Sequence, residues 1–364
     1  MEPSDIRVFS NQEYLKSGLI LDEDMASCNV LLGVKEVPIE TLIPNRTYFF
    51  FSHTIKKQPY NRNLLRALID KNIEFYDHEV LTDTSGARLV AFGRYAGIVG
   101  AYNGFLAYGL KSGLFDMPRA YSLKDQDALI DELRKLELPA IKVLLTGCGR
   151  VGNGAREMLE GMGLREVGVE AYLSDTFQEP VYCQIDVLEY NKRIDGKPSE
   201  KSDFFAHPED YNSDFFKFAR VTDLYMAGHF YGQGSPYLFT RDDARHPDFR
   251  IRVVADISCD IDGPVAATLR ASTIADPVFG YDPKSETETD YKNAEAIAVM
   301  AIDNLPAELP RDASEGFGEA FSTHIIPAFF NGDAEGILER ARMTKNGKLT
   351  PRYAYLQDYV DGTA

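Results

Sequence analysis

Short runs of large apolar residues alternate with polar, Gly- or Pro-containing breaks along the first third of the chain. Residues 29–34 (NVLLGV) read as a buried strand with Lys35 and Glu36 at its carboxyl end, and residues 48–51 (YFFF) as a second strand ending in Ser52-His53-Thr54. Within residues 61–71, Leu64, Leu65, Leu68 and Ile69 recur at helical spacing. A third strand, residues 73–76, runs into Asp77-His78-Glu79. Strands alternating with helical segments predict a parallel α/β unit, whose ligand groups belong at the carboxyl ends of its strands. Lys35, Glu36, His53 and Glu79 all fall at such ends.

Further on, residues 96–110 (AGIVGAYNGFLAYGL) interleave small and large apolar residues, which predicts a close-packed helix connecting two domains. A charged amphipathic helix follows at residues 125–136. The apolar run 141–146 then feeds Gly147-Cys148-Gly149-Arg150-Val151-Gly152, and a helical pattern opens at once behind it. This is the G-x-G-x-x-G fingerprint in its required setting of strand, tight turn and helix N-terminus. Gly147 permits the turn, Gly149 lets a pyrophosphate approach the backbone, and Gly152 lets helix and strand pack closely, while the free amides of the new helix face the phosphates. The next strand, residues 181–185, ends in Asp186, the candidate ribose acid. Its distance from the glycines exceeds the usual ~20 residues, so residues 164–180 form an insertion. Residues 191–217 read as a loop excursion with short helices. Strands are expected at 223–227, 252–257 and 294–302, the second ending in Asp256-Ile257-Ser258 and the third leading to Asp303-Asn304-Leu305. A helix is expected at 311–321, followed by a polar and aromatic close at 348–359.

The expected architecture is α/β, with two Rossmann-like domains and a cleft between them. Residues 1–121 with 311–364 form the substrate domain, and residues 122–310 form a doubly wound parallel dinucleotide domain. The first residues lack an opening strand, so the first domain is expected to be N-terminally truncated.

Composition narrows the classes. A length of 364 residues suits two domains, and 44% hydrophobic residues supply the cores despite the absence of Trp. A formal charge of −17 argues against nucleic-acid binding, which needs clustered Lys and Arg. Cys28, Cys148, Cys183 and Cys259 are widely spaced, with no C-x-x-C pair, and read as reduced thiols rather than metal ligands. No run is long and apolar enough for a membrane span and no secretory signal is evident. A cytoplasmic monomer or small homo-oligomer acting on a small molecule, with no membrane partner, is expected. Among the histidines, His53 lies at a strand end and reads either as a site group or as a satisfied strand-end histidine, His78 is read as structural, and His229 follows a strand from which it could reach the cleft. Asp256 and Asp260 are read as organisers of their turn.

Seven motifs in order carry a family resemblance. They are LGVKEVP (32–38), FFSHTIKKQ (50–58), FYDHEVL (75–81), RLVAFGRYAG (88–97), GCGRVGNGA, ADISCD and IDNLPAELPRDAS (302–314), and they cover nearly the whole chain. The chain resembles the lysine-forming saccharopine dehydrogenases and lysine–2-oxoglutarate reductases and, more distantly, alanine dehydrogenase and the transhydrogenase nucleotide-binding subunit. The resemblance implies hydride transfer from the secondary amine of saccharopine to a nicotinamide, then imine hydrolysis to lysine and 2-oxoglutarate, or the reverse. It implies Lys35 as proton acceptor and His53 as acid/base, with Glu36 and Glu79 as neighbouring acids. Lys56, Gln58 and Arg88 would contact substrate carboxylates, and Phe92 would line the pocket. For the cofactor it implies Gly147, Gly149, Arg150 and Gly152 at the phosphates, Asp186 at the ribose, Ile257 at a strand end, and Asp303 with Leu305 at the nicotinamide side. NAD is the expected cofactor, because Asp186 repels a 2′-phosphate; Arg193 is the feature that would admit NADP.

The chain departs from the family pattern in three places. Ala87-Arg88 stands where fungal members carry two arginines, with Arg94 as a candidate replacement. Residues 191–217 have no fungal counterpart. The strand-helix segment that precedes Pro3 in the family, with its substrate-binding arginine, is absent, as an alternative start site or truncated gene model would produce. The alternatives are therefore the same fold acting on another amino acid, or a nucleotide-binding protein impaired in turnover.

Overall fold

The structure, a computed structural model, describes residues 1–363. The chain divides into two compact units: residues 1–91 with the segment from Ser314 onward, and residues 92–313. In chain order the strands are β1 (Val30–Leu32), β2 (Thr47–Phe50), β3 (Glu74–Asp77), β4 (Lys142–Thr146), β5 (Arg165–Glu166), β6 (Val181–Ile185), β7 (Asn191–Arg193), β8 (Tyr211–Ser213), β9 (Leu224–Ala227), β10 (Val253–Asp256), β11 (Val278–Asp282), β12 (Thr287–Thr289), β13 (Ile297–Met300), β14 (Arg342–Lys345) and β15 (Lys348–Leu349). The first five helices are α1 (Asn11–Lys16), α2 (Arg62–Asp70), α3 (Gly93–Ser112), α4 (Gln126–Leu133) and α5 (Arg150–Gly161).

The first unit is built on the sheet β1-β2-β3-β14-β15. The first three strands run parallel, as expected, while β14 and β15 add an antiparallel hairpin beside β3. Helix α2 buries Leu64, Leu65 and Leu68 in one core with Tyr48, Phe50, Phe75, Met343 and Tyr359. Two expectations change here. The run 29–34 does form a strand, but β1 lies at the sheet edge with a neighbour on one side only, so Val30 is 46% and Leu32 52% exposed. Leu31 alone packs towards the core, in the alternation of a strand with one covered face. The chain near Arg342 carries a strand that its polar residues concealed: Met343 and Thr344 are buried, and Arg342 pairs with Glu74 at 3.2 Å.

The second unit holds an eight-stranded sheet in the order β12-β11-β13-β10-β9-β4-β6-β5. It is parallel from β13 to β5, but β11 and β12 run antiparallel, so the purely parallel expectation fails at this edge. A mixed edge on a parallel sheet is common, and an apolar run such as VFGYD does not encode its direction. The excursion at 191–217 is more ordered than a loop: β7 and β8 pair antiparallel and enclose the short helix Lys201–Ala206.

Helix α3, expected to bridge two domains, lies in this second unit, and its glycines explain how. A Cβ on Gly97 would sit 1.9 Å from the Val151 carbonyl oxygen, and one on Gly154 would sit 2.1 Å from that of Arg94. Helices α3 and α5 therefore touch backbone to backbone. One turn along, a Cβ on Gly100 would meet Ile257 at 2.5 Å, and one on Gly104 would meet Ala255 at 3.0 Å. Residues 92–121, expected with the first domain, thus pack with the dinucleotide fold. Among the described residues no helix is long and apolar enough to cross a membrane.

Backbone cannot yield as a side-chain tip can, so Gly97→Ala should destabilise the chain by about 1–3 kcal/mol, despite the ~1 kcal/mol that Ala gains over Gly inside a helix. Gly168→Ala, where a Cβ would meet nothing within 4 Å, is the control and should leave stability unchanged. Chemical denaturation of both variants checks this; equal midpoints would show that the helices can separate at little cost.

Candidate active site

Parallel pairing of β1, β2 and β3 brings their carboxyl ends to one edge of the first sheet. Beyond β2 come Ser52 and His53; beyond β3 comes a single helical turn, His78–Val80, that carries Glu79. The carboxyl end of β1 remains alongside, with the Phe51 amide donating to the Val34 carbonyl at 3.0 Å. Arg88 arrives by a tight return: Asp83 accepts the amides of Ser85 and Ala87, and Arg88 then bridges antiparallel to Thr82.

Glu79 is the hub. Its carboxylate is 4% exposed and gathers three groups: His53 Nδ1 at 3.3 Å, Lys56 Nζ at 3.4 Å and Arg88 at 3.6 Å. A buried carboxylate is retained only where opposite charge or hydrogen bonds offset its lost hydration, and here three donors converge on it. The contact also fixes the imidazole. With Nδ1–H donating to Glu79, Nε2 of neutral His53 becomes the acceptor nitrogen, poised to take a proton.

His53 is held in a left-handed conformation (φ 54°), as is Lys57 (φ 54°), which costs a side-chain-bearing residue about 1 kcal/mol or more. The network beneath holds the strain in place. Buried Asp77 accepts from the Ser52 amide at 3.2 Å, the Ser52 hydroxyl and the Glu79 amide at 2.8 Å, and Ser52 in turn hydrogen-bonds Thr54. Sequence reasoning passed over Asp77, although an acid inside the aromatic strand EFYD was the available signal. His78 is structural, as read: it is fully buried, donates through Nε2 to the Gly33 carbonyl at 2.8 Å, and packs against Phe51, Phe317 and Phe321.

The remaining substrate candidates are less gathered. Lys35 and Glu36 stand exposed past β1, and among the described residues no hydrogen bond or ion pair holds either side chain. Gln58 is half-buried and accepts from the Tyr60 hydroxyl rather than joining Glu79. Phe92 belongs to the second unit, where it caps α3 and packs on that unit's core. Arg94 is not a free substitute for a missing arginine: it grips Glu157 through two nitrogens (2.8 and 2.6 Å) and also donates to Gln126.

In the second unit, the glycine turn fits a dinucleotide. Gly147 has φ 96°, and a Cβ there would strike the Gly228 carbonyl; at Gly152 it would lie 1.9 Å from the Gly147 oxygen. Gly149, the N-cap of α5, has open space where a Cβ would stand, and Arg150 beside it is exposed, so a phosphate has room to approach the first turn of the helix. Asp186 is partly exposed at the end of β6. Ile257 and Leu305 are buried in the core, whereas Asp303 is exposed. Within IDNLPAELPRDAS, Glu308 serves the fold: it is buried and accepts from Asn103 of α3 at 2.7 Å. His229 lies buried behind the turn, with Nδ1 3.0 Å from the Thr146 hydroxyl, and burial lowers its pKa to about 4. Asp256 does organise its turn, bonding Ser258, the Cys259 amide and Thr268.

Known proteins share the fold and the sequence pattern of this chain. The family model described as alanine dehydrogenase/PNT, N-terminal domain, matches residues 1–99. The chain is 29% identical over 410 residues to the mitochondrial alpha-aminoadipic semialdehyde synthase of Mus musculus, an alignment covering 98% of this chain and 44% of that protein. It therefore spans less than half the length of that relative. It is 27% identical over 374 residues to the saccharopine dehydrogenase [NAD(+), L-lysine-forming] of Candida glabrata, covering 96% and 90% of the two chains. Among solved structures, an L-alanine dehydrogenase superposes with a TM-score of 0.62 at 14% identity, covering 98% of this chain and 88% of its own. The fold is accordingly the two-unit α/β fold of alanine dehydrogenase. Within it, the chain is a relative of the lysine-forming saccharopine dehydrogenases and the semialdehyde synthases, as its motifs implied.

Asp77 and His78 give the site a pH signature. Burial pushes the Asp77 carboxyl up to about 6 from 3.8, so the folded chain holds more protons than the unfolded one between those values, and this contribution to stability falls as pH rises. Burial lowers His78 to about 4 from 6.5, so the unfolded chain holds more protons there and this contribution grows with pH. The slopes oppose each other between about pH 4 and 6. In Asp77→Asn only the rising one remains, so the unfolding free energy of the variant relative to the parent should climb across that window. Denaturant titrations at several pH values measure the difference; a flat line would mean that Asp77 titrates as an ordinary surface acid.

Proposed function

We propose that the chain is a nicotinamide-dependent oxidoreductase acting on the CH–NH bond of saccharopine, or joining lysine to 2-oxoglutarate in reverse. The observation that carries this reading is the cluster on Glu79: a histidine with a free acceptor nitrogen, a lysine and an arginine, ordered at the carboxyl ends of parallel strands. A bound nicotinamide supplies the hydride acceptor. The chain supplies proton handling and carboxylate binding, which a dicarboxylate secondary amine requires.

In this reading Lys35 accepts the proton of the secondary amine once bound substrate and nicotinamide withdraw it from water, because only a desolvated lysine is neutral enough to act as a base. His53 moves protons through Nε2 while water adds to the imine carbon and the C–N bond breaks, and Glu79 holds the ring and stabilises the cationic form. Lys56 and Arg88 set two cationic groups beside Glu79, where they attract the carboxylates of the substrate. The glycine turn and the first turn of α5 hold the pyrophosphate.

A second reading, oxidation of a simpler amino acid in the manner of alanine dehydrogenase, is favoured by one observation. The alanine dehydrogenase/PNT model covers residues 1–99, the segment that holds the whole Glu79 cluster. Nicotinamide reduction with saccharopine and with alanine, and the reverse reactions, separate the two: turnover with alanine alone would overturn the first.

His53→Gln and Lys35→Met should each lower turnover of the preferred substrate by about 10²–10⁴-fold if both act as general acid–base groups. Dinucleotide affinity, measured by calorimetry, should be unchanged in both. Full activity in His53→Gln would remove the histidine from the chemistry.

A further inference from the structure

Asp186 ends β6 where dinucleotide folds carry the acid that reads the adenosine ribose. Such an acid selects NAD by accepting from both ribose hydroxyls and repelling a 2′-phosphate. In this chain both of its oxygens are already engaged. Oδ1 accepts the Val187 amide at 2.7 Å, and Oδ2 is paired with Lys201. A second carboxylate is close by, since Glu189 accepts the Asp186 amide at 2.7 Å.

Lys201 opens the short helix Lys201–Ala206, between the paired strands β7 and β8. Arg193 was the cation expected to receive a 2′-phosphate, but it is committed elsewhere. It pairs with Asp195 at 2.9 Å, with Asp203 and with Asp210 at 3.7 Å, and lies over the Tyr211 ring at 5.6 Å. Its partner Asp203 is on the helix that Lys201 opens, so Arg193 ties that helix to β7. Arg193 fastens the segment; Lys201 is the cation that the segment presents to Asp186.

We propose that Lys201 is the cofactor-selecting residue of this chain, and that by pairing with Asp186 it admits NADP alongside NAD. This rests on the nicotinamide-dependent reading above. Without Lys201, a 2′-phosphate carrying about −1.5 to −2 charges would face Asp186 and Glu189 unscreened. With it, one carboxylate is neutralised and an ammonium with further N–H donors stands on a flexible, 56% exposed side chain that can turn to the phosphate. For NAD the effect has the opposite sign, because the ribose hydroxyls must compete with Lys201 for Oδ2.

Isothermal titration of the full chain with NADH and NADPH tests this without any turnover. The parent chain should bind both, with NADPH affinity falling more steeply as salt is raised. Lys201→Ala should weaken NADPH at least tenfold while leaving NADH unchanged or tighter, and Lys201→Arg should restore NADPH binding. Asp186→Ser should shift the preference the other way, strengthening NADPH relative to NADH. A parent chain that binds NADH but not NADPH would overturn the proposal, as would equal losses for both cofactors in Lys201→Ala. Binding of neither dinucleotide by the parent would overturn the nicotinamide reading itself, and this proposal with it.

Discussion

One buried carboxylate organises the first unit. Glu79 sits almost wholly out of water at the end of β3, where its charge is tolerated only while His53, Lys56 and Arg88 surround it. Each of those residues is brought in by a different local device: a left-handed turn after β2, the short turn that follows it, and a tight return that folds Arg88 back over Thr82. Asp77 lies beneath, holding Ser52 and the Glu79 amide together. Two acids, one paired with cations and one with hydroxyl and amide donors, thus fix the geometry of the whole strand-end cluster.

The second unit depends on missing atoms. Gly97 and Gly154 let α3 and α5 meet backbone to backbone, and Gly152 lets α5 rest on the turn at Gly147. Only Gly149 of the fingerprint has open space beside it, so the glycines divide into those that pack the fold and one that leaves room at the turn. Long-range polar contacts then set the details. Glu308 reaches Asn103 and keeps the turn after Leu305 on α3, while Arg193 gathers the segment that carries Lys201 to Asp186.

Most elements were legible in the sequence because their signals are local. Apolar runs bounded by breaks marked β2, β3, β4, β6, β9, β10 and β13, helical spacing marked α2, and the glycine spacing marked the turn before α5. Seven strands were not legible. β5, β7 and β8 lie in segments read as an insertion and a loop excursion, β11 and β12 have a direction that no local pattern encodes, and β14 and β15 hide inside polar stretches whose inward residues are few. The reading of β1 as buried failed for a related reason: an apolar run reports what a strand could bury, while its place at the sheet edge decides what it does bury.

By itself the sequence determined the two-unit α/β plan, the dinucleotide turn and His53 and Glu79 as strand-end residues of interest, because apolar runs fix which side chains lie at strand ends; Lys56 and Arg88 were marked by the family resemblance of their motifs. Tertiary structure alone decided that His53, Lys56 and Arg88 converge on the Glu79 carboxylate, that Asp77 supports them, that Arg94 is held by Glu157, and that Asp186 already has a cationic partner. Those are contacts between residues distant in the chain. Their partners are chosen by packing and charge neutralisation in the folded chain, and no local pattern of residues records that choice.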